Sequence, residues 1–442
     1  MQETIRKMQD KAIRLFPSGI VTPPASKSIS HRAVICAALA HGESVIDNVT
    51  LSDDIRATLE GVGALGAEWR LEGRTLYVRG GAGRRADLIN CVESGSTLRF
   101  LIPVAALSDR ETVFRGKGRL LVRPMGAYDT VFAGTDVRFS HSQREIRVCG
   151  PLRSGLYMLP GDVSSQFVSG LLFALPLADG DSEIHLSSPL ESRQYADMTV
   201  DVLRSFGIEA EASEYVFRVR GGQRYRPSRY TVETDYSQAA YFLGAAALGL
   251  DVGCAGLSPE SMQGDKAFLR VLERMGAEVV WDGGLVSVRA GRLSAITADA
   301  RENPDLIPPI AALCCFCEGT SRIVNAGRLR LKESDRLRAL AEELGRLGAR
   351  VAESPDSLTI VGAPTLRGGR VDAHHDHRIA MSMALAAVRC EGDVRLVGWH
   401  NVSKSYPGFW DDFEKKPLPA APAPGKDAAG AGAATARKGR GE

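Results

Sequence analysis

The sequence predicts an α/β protein of two similar domains, each made of three copies of one unit. Three observations predict it. Loops between a helix-like and a strand-like segment recur at Gly42, Asp109, Gly180, Gly249, Gly319 and Gly392, at intervals of 67, 71, 69, 70 and 73 residues. Helix-like stretches end at Gly66, Gly134, Gly207, Gly276 and Gly348, spaced 68, 73, 69 and 72 apart. After each of these glycines comes an alternating segment: Thr75–Arg79, Glu145–Val148, Val216–Arg220, Leu285–Arg289 and Ser357–Val361.

Each element has a physical reason. A glycine closes a helix because it takes the left-handed conformation without a Cβ clash. Alternation of apolar and polar residues suits a strand with one face buried. The unit therefore reads helix, strand, helix, strand, strand. Six units in 442 residues exceed one ordinary core and divide into two groups of three. The last unit lacks a closing hairpin, and Lys11–Phe16 is placed to complete it, so the chain is expected to cross twice between domains. The expected division is 24–229 for one domain, 1–23 plus 230–415 for the other, and a disordered Ala-, Gly- and Pro-rich tail over 416–442.

Composition narrows the function. Lysine and arginine number 55 against 53 acidic residues, a net charge of +2, which gives no bulk attraction for nucleic acid or a membrane surface. The charged N-terminal segment MQETIRKMQDKAIRLF has no signal-peptide core. The longest apolar stretches, Phe167–Ala178 and Ile307–Cys317, fall short of a membrane span. A cytoplasmic protein is expected. Cys314, Cys315 and Cys317 crowd one apolar segment and read as buried, reduced thiols.

The repeat also predicts a site. Fourteen residues before each loop marker stand Ser28, Gly95, Gln166, Asp235, Asp305 and Arg378, each ahead of an apolar run suited to a helix. Helix N-termini carry free N–H groups and the positive end of the dipole, so several aimed at one place make a site for a strongly anionic small molecule. The second helix of each unit has its own polar start: Ser52-Asp53-Asp54, Arg123-Pro124-Met125, Ser192-Arg193-Gln194-Tyr195, Ser261 to Asp265, Lys332 to Arg336, and Lys404 to Pro407. Asp53, Asp54 and Asp265 read as helix caps. Arg123 and Lys404 read as cations set against a helix dipole, a placement that calls for an anion. His374-His375-Asp376-His377 has poor spacing for a metal, and Asp376 with His377 is read as orienting Arg378. Glu333 between Lys332 and Arg336 fits either an ion pair within one turn or a tuned proton carrier, and Asp305 is open in the same way.

With these motifs in view, the chain resembles the 5-enolpyruvylshikimate-3-phosphate synthase family of enolpyruvyl transferases from about Lys11 to Phe413. The resemblance rests on Ser26-Lys27-Ser28-Ile29-Ser30-His31-Arg32, Arg123-Pro124, Val163-Ser164-Ser165-Gln166-Phe167, Lys332-Glu333-Ser334-Asp335-Arg336-Leu337 and Asp376-His377-Arg378-Ile379-Ala380-Met381, all in family order. It implies an inverse α/β barrel in each domain, three βαβαββ units around a pseudo-threefold axis, with the active site in the interdomain cleft. It implies enolpyruvyl transfer from phosphoenolpyruvate to shikimate-3-phosphate in the shikimate pathway, by a monomer without cofactor or metal, in a pocket that glyphosate also occupies.

By the same resemblance, Lys27, Ser28, Arg32, Ser164, Ser165, Gln166, Ser192, Tyr195, Asp305 and Lys332 meet shikimate-3-phosphate. Lys27, Gly95, Arg123, Gln166, Arg336, Arg378 and Lys404 hold phosphoenolpyruvate, and Asp305, Glu333 and Lys27 handle protons. This sequence departs from the family at Arg328 and Glu93, each in place of a common Asn, and at Phe100 in place of a frequent Pro. A sister group that uses UDP-N-acetylglucosamine usually carries a reactive Cys on a loop comparable to Gly116–Gly126, which has none here. A pseudo-sixfold DNA clamp, the alternative without chemistry, would need a basic inner face rather than carboxylates mixed with bases.

Overall fold

Each of the six polar motifs opens a helix. In the computed structural model, which describes residues 10–81 and 83–415, these helices are Lys27–Leu39, Gly95–Ala105, Ser165–Ala174, Tyr236–Ala247, Ile307–Cys314 and His377–Ala387. Ser26, Ser94, Ser164, Asp235 and Asp376 cap five of them, each side chain accepting a backbone N–H of the first turn. The helix Ile307–Cys314 starts on Ile307-Pro308-Pro309 instead, where proline has no N–H to satisfy. These helices are central. Tyr236–Ala247 is buried at every position, which its run of alanines and large apolar residues allows. The second helix of a unit is peripheral: Ala267–Met275 buries only Phe268, Leu269, Leu272 and Met275.

The glycines Gly66, Gly134, Gly207, Gly276 and Gly348 end helices at φ of 117°, 74°, 77°, 97° and 98°. A small sheet follows the same plan in each unit. In the second unit, Leu88–Asn90 runs parallel to Thr112–Arg115, which pairs antiparallel with Ile146–Cys149, and that strand with Arg138–His141. Two units borrow their first strand from far along the chain. Arg229–Thr231 lies parallel to Gly42–Asp47, and Gly19–Val21 lies parallel to Val252–Ala255. In the sixth unit Lys11–Ile13 pairs antiparallel with Val394–Val397 where a hairpin would stand.

Two hydrophobic cores result. One gathers residues from Ala25 to Val232; the other joins Ile13, Phe16 and Val21 to residues from Tyr236 to Phe413. The chain passes between them twice, at 22–24 and 233–235. The two passes lie side by side: Ser26 N–H donates to Glu233 O at 2.7 Å and Asp235 N–H to Pro24 O at 2.9 Å. All eight cysteines are free, and Cys314, Cys315 and Cys317 are buried. No described helix is long and apolar enough to cross a membrane. The expected tail lies outside the described residues.

Candidate active site

The cleft between the cores, about 1080 Å³ counting its mouth, is lined by Ser28, Gly95, Gln166, Asp305 and Arg378, five of the six repeat positions. The sixth, Asp235, is held behind the wall, where its carboxylate caps its own helix and accepts the Lys27 backbone N–H at 3.0 Å. Of the residues expected at the site, Lys27, Arg32, Arg123, Ser164, Ser165, Ser192, Tyr195, Lys332, Glu333 and Arg336 also line the cleft. Lys404 is buried just outside its lining.

The first domain contributes a polar wall. Arg32 stands on helix Lys27–Leu39, with its guanidinium donating to Ser28 O at 2.6 Å, Tyr195 O at 2.7 Å and Thr199 Oγ1 at 2.8 Å. Phe100 packs beneath it, 5.1 Å from the guanidinium carbon to the ring centre. The departure to Phe100 thus supplies an aromatic floor for a buried cation. Burial pushes the Arg32 pKa down to about 10, so it remains charged at neutral pH. Gln166 accepts from Arg99 at 2.7 Å and donates to Ser96 Oγ at 3.0 Å, which fixes its amide beside Gly95.

The second domain contributes the carboxylates. Asp305 accepts Arg336 on one oxygen at 2.9 Å and Arg378 on the other at 3.0 Å. Burial works against its charge, but Arg378, Lys332 and Arg336 outweigh burial and hold the carboxyl well below the usual carboxylate range. Glu333 accepts Arg336 at 3.0 Å within one turn and faces Arg123 of the other domain at 3.5 Å. It too is held low, burial being outweighed by Arg123 and Arg336. Lys332 has its pKa pushed down to about 8 by burial, with Asp305 opposing. Arg336 is buried and joins three carboxylates, the third being Asp376 at 2.7 Å.

Several expectations need correction. Arg123 and Lys404 do not sit on helix N-termini. Arg123 follows the 3-10 turn Leu120–Val122, and helix Gly126–Phe132 begins three residues later. Lys404 ends the turn Trp399–Lys404. Their charge is balanced by carboxylates instead: Glu333 for Arg123, and Asp54 at 3.0 Å for Lys404. Asp54 is not a cap. Ser52 caps that helix, while Asp54 is buried between Lys404 and Lys27, the latter at 2.7 Å. Asp265 is not a cap either; it accepts the Tyr195 hydroxyl at 2.9 Å across the cleft. Burial, with Asp305 nearby, pushes Asp265 up to about 7. Asp376 does cap the Arg378 backbone N–H, but its carboxylate orients Arg336 rather than the Arg378 side chain, which is turned toward Asp305.

Sequence reading missed Asp54, Asp265 and Arg99 as parts of the site. The signal for Asp54 was its second place in the helix, past the cap, where an acid faces inward with Lys27. Asp265 and Arg99 had none, because each acts on a residue from a distant unit.

Solved structures share this fold. An EPSP synthase from Acinetobacter baumannii superposes with a TM-score of 0.75 at 25% identity, covering 91% of this chain and 97% of that one. The enolpyruvyl transferase NikO from Streptomyces tendae shares the fold at a TM-score of 0.73 and 20% identity, covering 91% and 97%. The fold is that of the enolpyruvyl transferases. Among curated proteins, the 3-phosphoshikimate 1-carboxyvinyltransferase of Clostridium acetobutylicum is 44% identical over 406 residues, 90% of this chain and 94% of that protein. The enzyme of the same name from Clostridium perfringens is 42% identical over 414 residues, 91% and 98%. Residues 16–413 match the family model of EPSP synthase (3-phosphoshikimate 1-carboxyvinyltransferase), and the chain belongs to that family.

Proposed function

We propose that this chain transfers the enolpyruvyl group of phosphoenolpyruvate to the 5-hydroxyl of shikimate-3-phosphate and releases phosphate, a step of aromatic amino-acid biosynthesis. The observation that carries the reading is the pairing of Asp305 and Glu333 with Arg336, Arg378 and Arg123 in one cleft built by both domains. The two substrates bring two carboxylates and two phosphates, which such a ring of bases can hold.

The parts divide by position. Lys27, Ser28, Arg32, Ser164, Ser165, Gln166, Ser192, Tyr195, Asp305 and Lys332 receive shikimate-3-phosphate. Lys27, Gly95, Arg123, Gln166, Arg336, Arg378 and Lys404 receive phosphoenolpyruvate. The 5-hydroxyl oxygen bonds to C2 of phosphoenolpyruvate as C3 gains a proton and becomes a methyl group. The adduct then loses phosphate from C2 and a proton from C3. Asp305 takes the hydroxyl proton; Glu333, with Lys27, exchanges the proton at C3. Asp305 clamped by two guanidiniums is a weak base. A substrate carboxylate that draws Arg336 and Arg378 to itself raises the basicity of Asp305, which links binding to chemistry. The ring of bases stabilises charge on the departing phosphate in a cleft poor in water.

Two closing bodies, 24–229 and 1–23 plus 230–415, belong to the same proposal, as do a monomeric state and a cytoplasmic location. The two cores and the paired crossings support the division. The deciding assay mixes the pure protein with phosphoenolpyruvate and shikimate-3-phosphate and follows phosphate release, with UDP-N-acetylglucosamine as the competing acceptor. Release with the sugar nucleotide alone, or with neither acceptor, rejects the reading.

A further inference from the structure

Arg328 stands on the 3-10 turn Gly327–Leu331 of the second domain and lines the cleft. Its guanidinium is used on every side. Nε makes an ion pair with Glu191. One terminal nitrogen donates to Ser192 Oγ at 3.1 Å and to Arg301 O at 2.9 Å. The other donates to Val163 O at 3.5 Å. Glu191, Ser192 and Val163 all belong to the first domain, so one side chain spans the cleft.

The partners bracket two segments of the candidate site. Val163 leads into Ser164, Ser165 and Gln166. Glu191 and Ser192 lead into helix Gln194–Ser205, which carries Tyr195. Ser192 itself sits at φ 56°, a conformation unfavourable for a residue with a Cβ. Both groups that its hydroxyl meets, Arg301 O at 3.0 Å and Arg328, come from the other domain. Its neighbour Gln194 also reaches across, to Asn303 Oδ1 at 2.9 Å. The shape of this segment is therefore held from across the cleft. An asparagine at 328 has one short amide and could not grip Glu191, Ser192 and Val163 together.

We propose that Arg328 is a positioning residue: its ion pair with Glu191 latches the closed cleft and sets the Ser164–Gln166 and Ser192–Tyr195 segments for shikimate-3-phosphate. The inference rests on the function proposed above. It assigns Arg328 no contact with the reacting atoms. The latch acts on the phosphorylated acceptor, because the segments it holds are assigned to that substrate and not to phosphoenolpyruvate, apart from Gln166.

The test is a double-mutant cycle with Arg328→Asn, Glu191→Gln and the double variant. Wild-type turnover is measured first, and its absence with shikimate-3-phosphate rejects the function rather than the latch. Given turnover, each single variant is expected to raise KM for shikimate-3-phosphate, Arg328→Asn about tenfold, with the double variant no worse than Arg328→Asn alone. The KM for phosphoenolpyruvate at saturating acceptor should move far less. Amide hydrogen exchange gives a readout besides activity: with shikimate-3-phosphate bound, residues 161–167 and 188–196 should lose protection in both single variants. Additive effects, equal shifts in both KM values, or a lowered melting temperature with unchanged KM and unchanged exchange would each overturn the latch.

Discussion

Lys404 of the second domain and Asp54 of the first form a buried ion pair, 3.0 Å between Nζ and Oδ1. The other oxygen of Asp54 receives Lys27 at 2.7 Å. One carboxylate thus keeps together two ammoniums assigned to phosphoenolpyruvate. Removing one partner of a buried pair costs about 3–5 kcal/mol. Asp54→Asn should lower the melting temperature by several degrees. Inorganic phosphate should recover part of that loss, since an anion can replace the missing charge. Thermal unfolding with and without phosphate checks this, and an unchanged melting temperature in the variant rejects it.

Asp305→Asn keeps the shape but removes the proposed base. Turnover should fall by at least ~10²-fold, the usual size of a general-base contribution. Binding of shikimate-3-phosphate, measured by calorimetry, should stay within about tenfold, because the contacts proposed for Lys27, Ser164 and Lys332 are untouched. Near-normal turnover would remove Asp305 from the mechanism.

Asp265 offers a pH signature. Burial and the neighbouring Asp305 push its folded pKa up to about 7, with Arg378 opposing and Asp235 adding to the rise. A carboxyl raised in the folded state binds its proton more tightly there than in the unfolded chain. Folding is therefore penalised progressively as pH rises from about 4 to 7, and the penalty is full above that. Asp265→Asn retains an acceptor for the Tyr195 hydroxyl and cannot ionise. Its melting temperature relative to the parent should rise between pH 5 and pH 8. A difference that stays flat across that range contradicts the buried, raised carboxyl.

A methyl group at Gly95 would lie 3.1 Å from Arg123 Nη1, 3.5 Å from Arg99 Nη1 and 3.6 Å from Gln166 Oε1. All three are ends of side chains that can give way by tenths of an ångström. Space beyond this wall is proposed above for phosphoenolpyruvate. On the expectation that glyphosate reaches slightly further toward this wall than phosphoenolpyruvate, it should feel the methyl group more. Gly95→Ala should therefore weaken inhibition by more than it raises KM for phosphoenolpyruvate. Equal shifts, or none, would misplace the wall.

How much was legible follows from the range of each interaction. The helix starts at Ser28, Gly95, Gln166 and Arg378 could be read because a cap and an apolar run are local and lie within one or two turns. The closing glycines, from Gly66 to Gly348, were legible for the same reason: a left-handed φ is a demand on one residue. Pairing of Lys11–Ile13 with Val394–Val397 was open to inference because the last unit of a counted repeat was visibly incomplete.

Charge partners were not legible in this way. Lys404 and Arg123 were read against helix dipoles, yet their fields are balanced by Asp54 and Glu333 from the other domain. Asp376 stands two residues from Arg378 in sequence but turns its carboxylate to Arg336. The sequence by itself determined the repeating unit, the capped helices and the inventory of charged residues, since these depend on short-range sterics and backbone hydrogen bonding. Only the tertiary structure decided which base meets which acid, and that Arg328 reaches Glu191. Those pairings are set when the tertiary fold brings distant segments within about 3 Å of one another, a distance at which electrostatics in a buried cleft outweighs any preference encoded nearby in the chain.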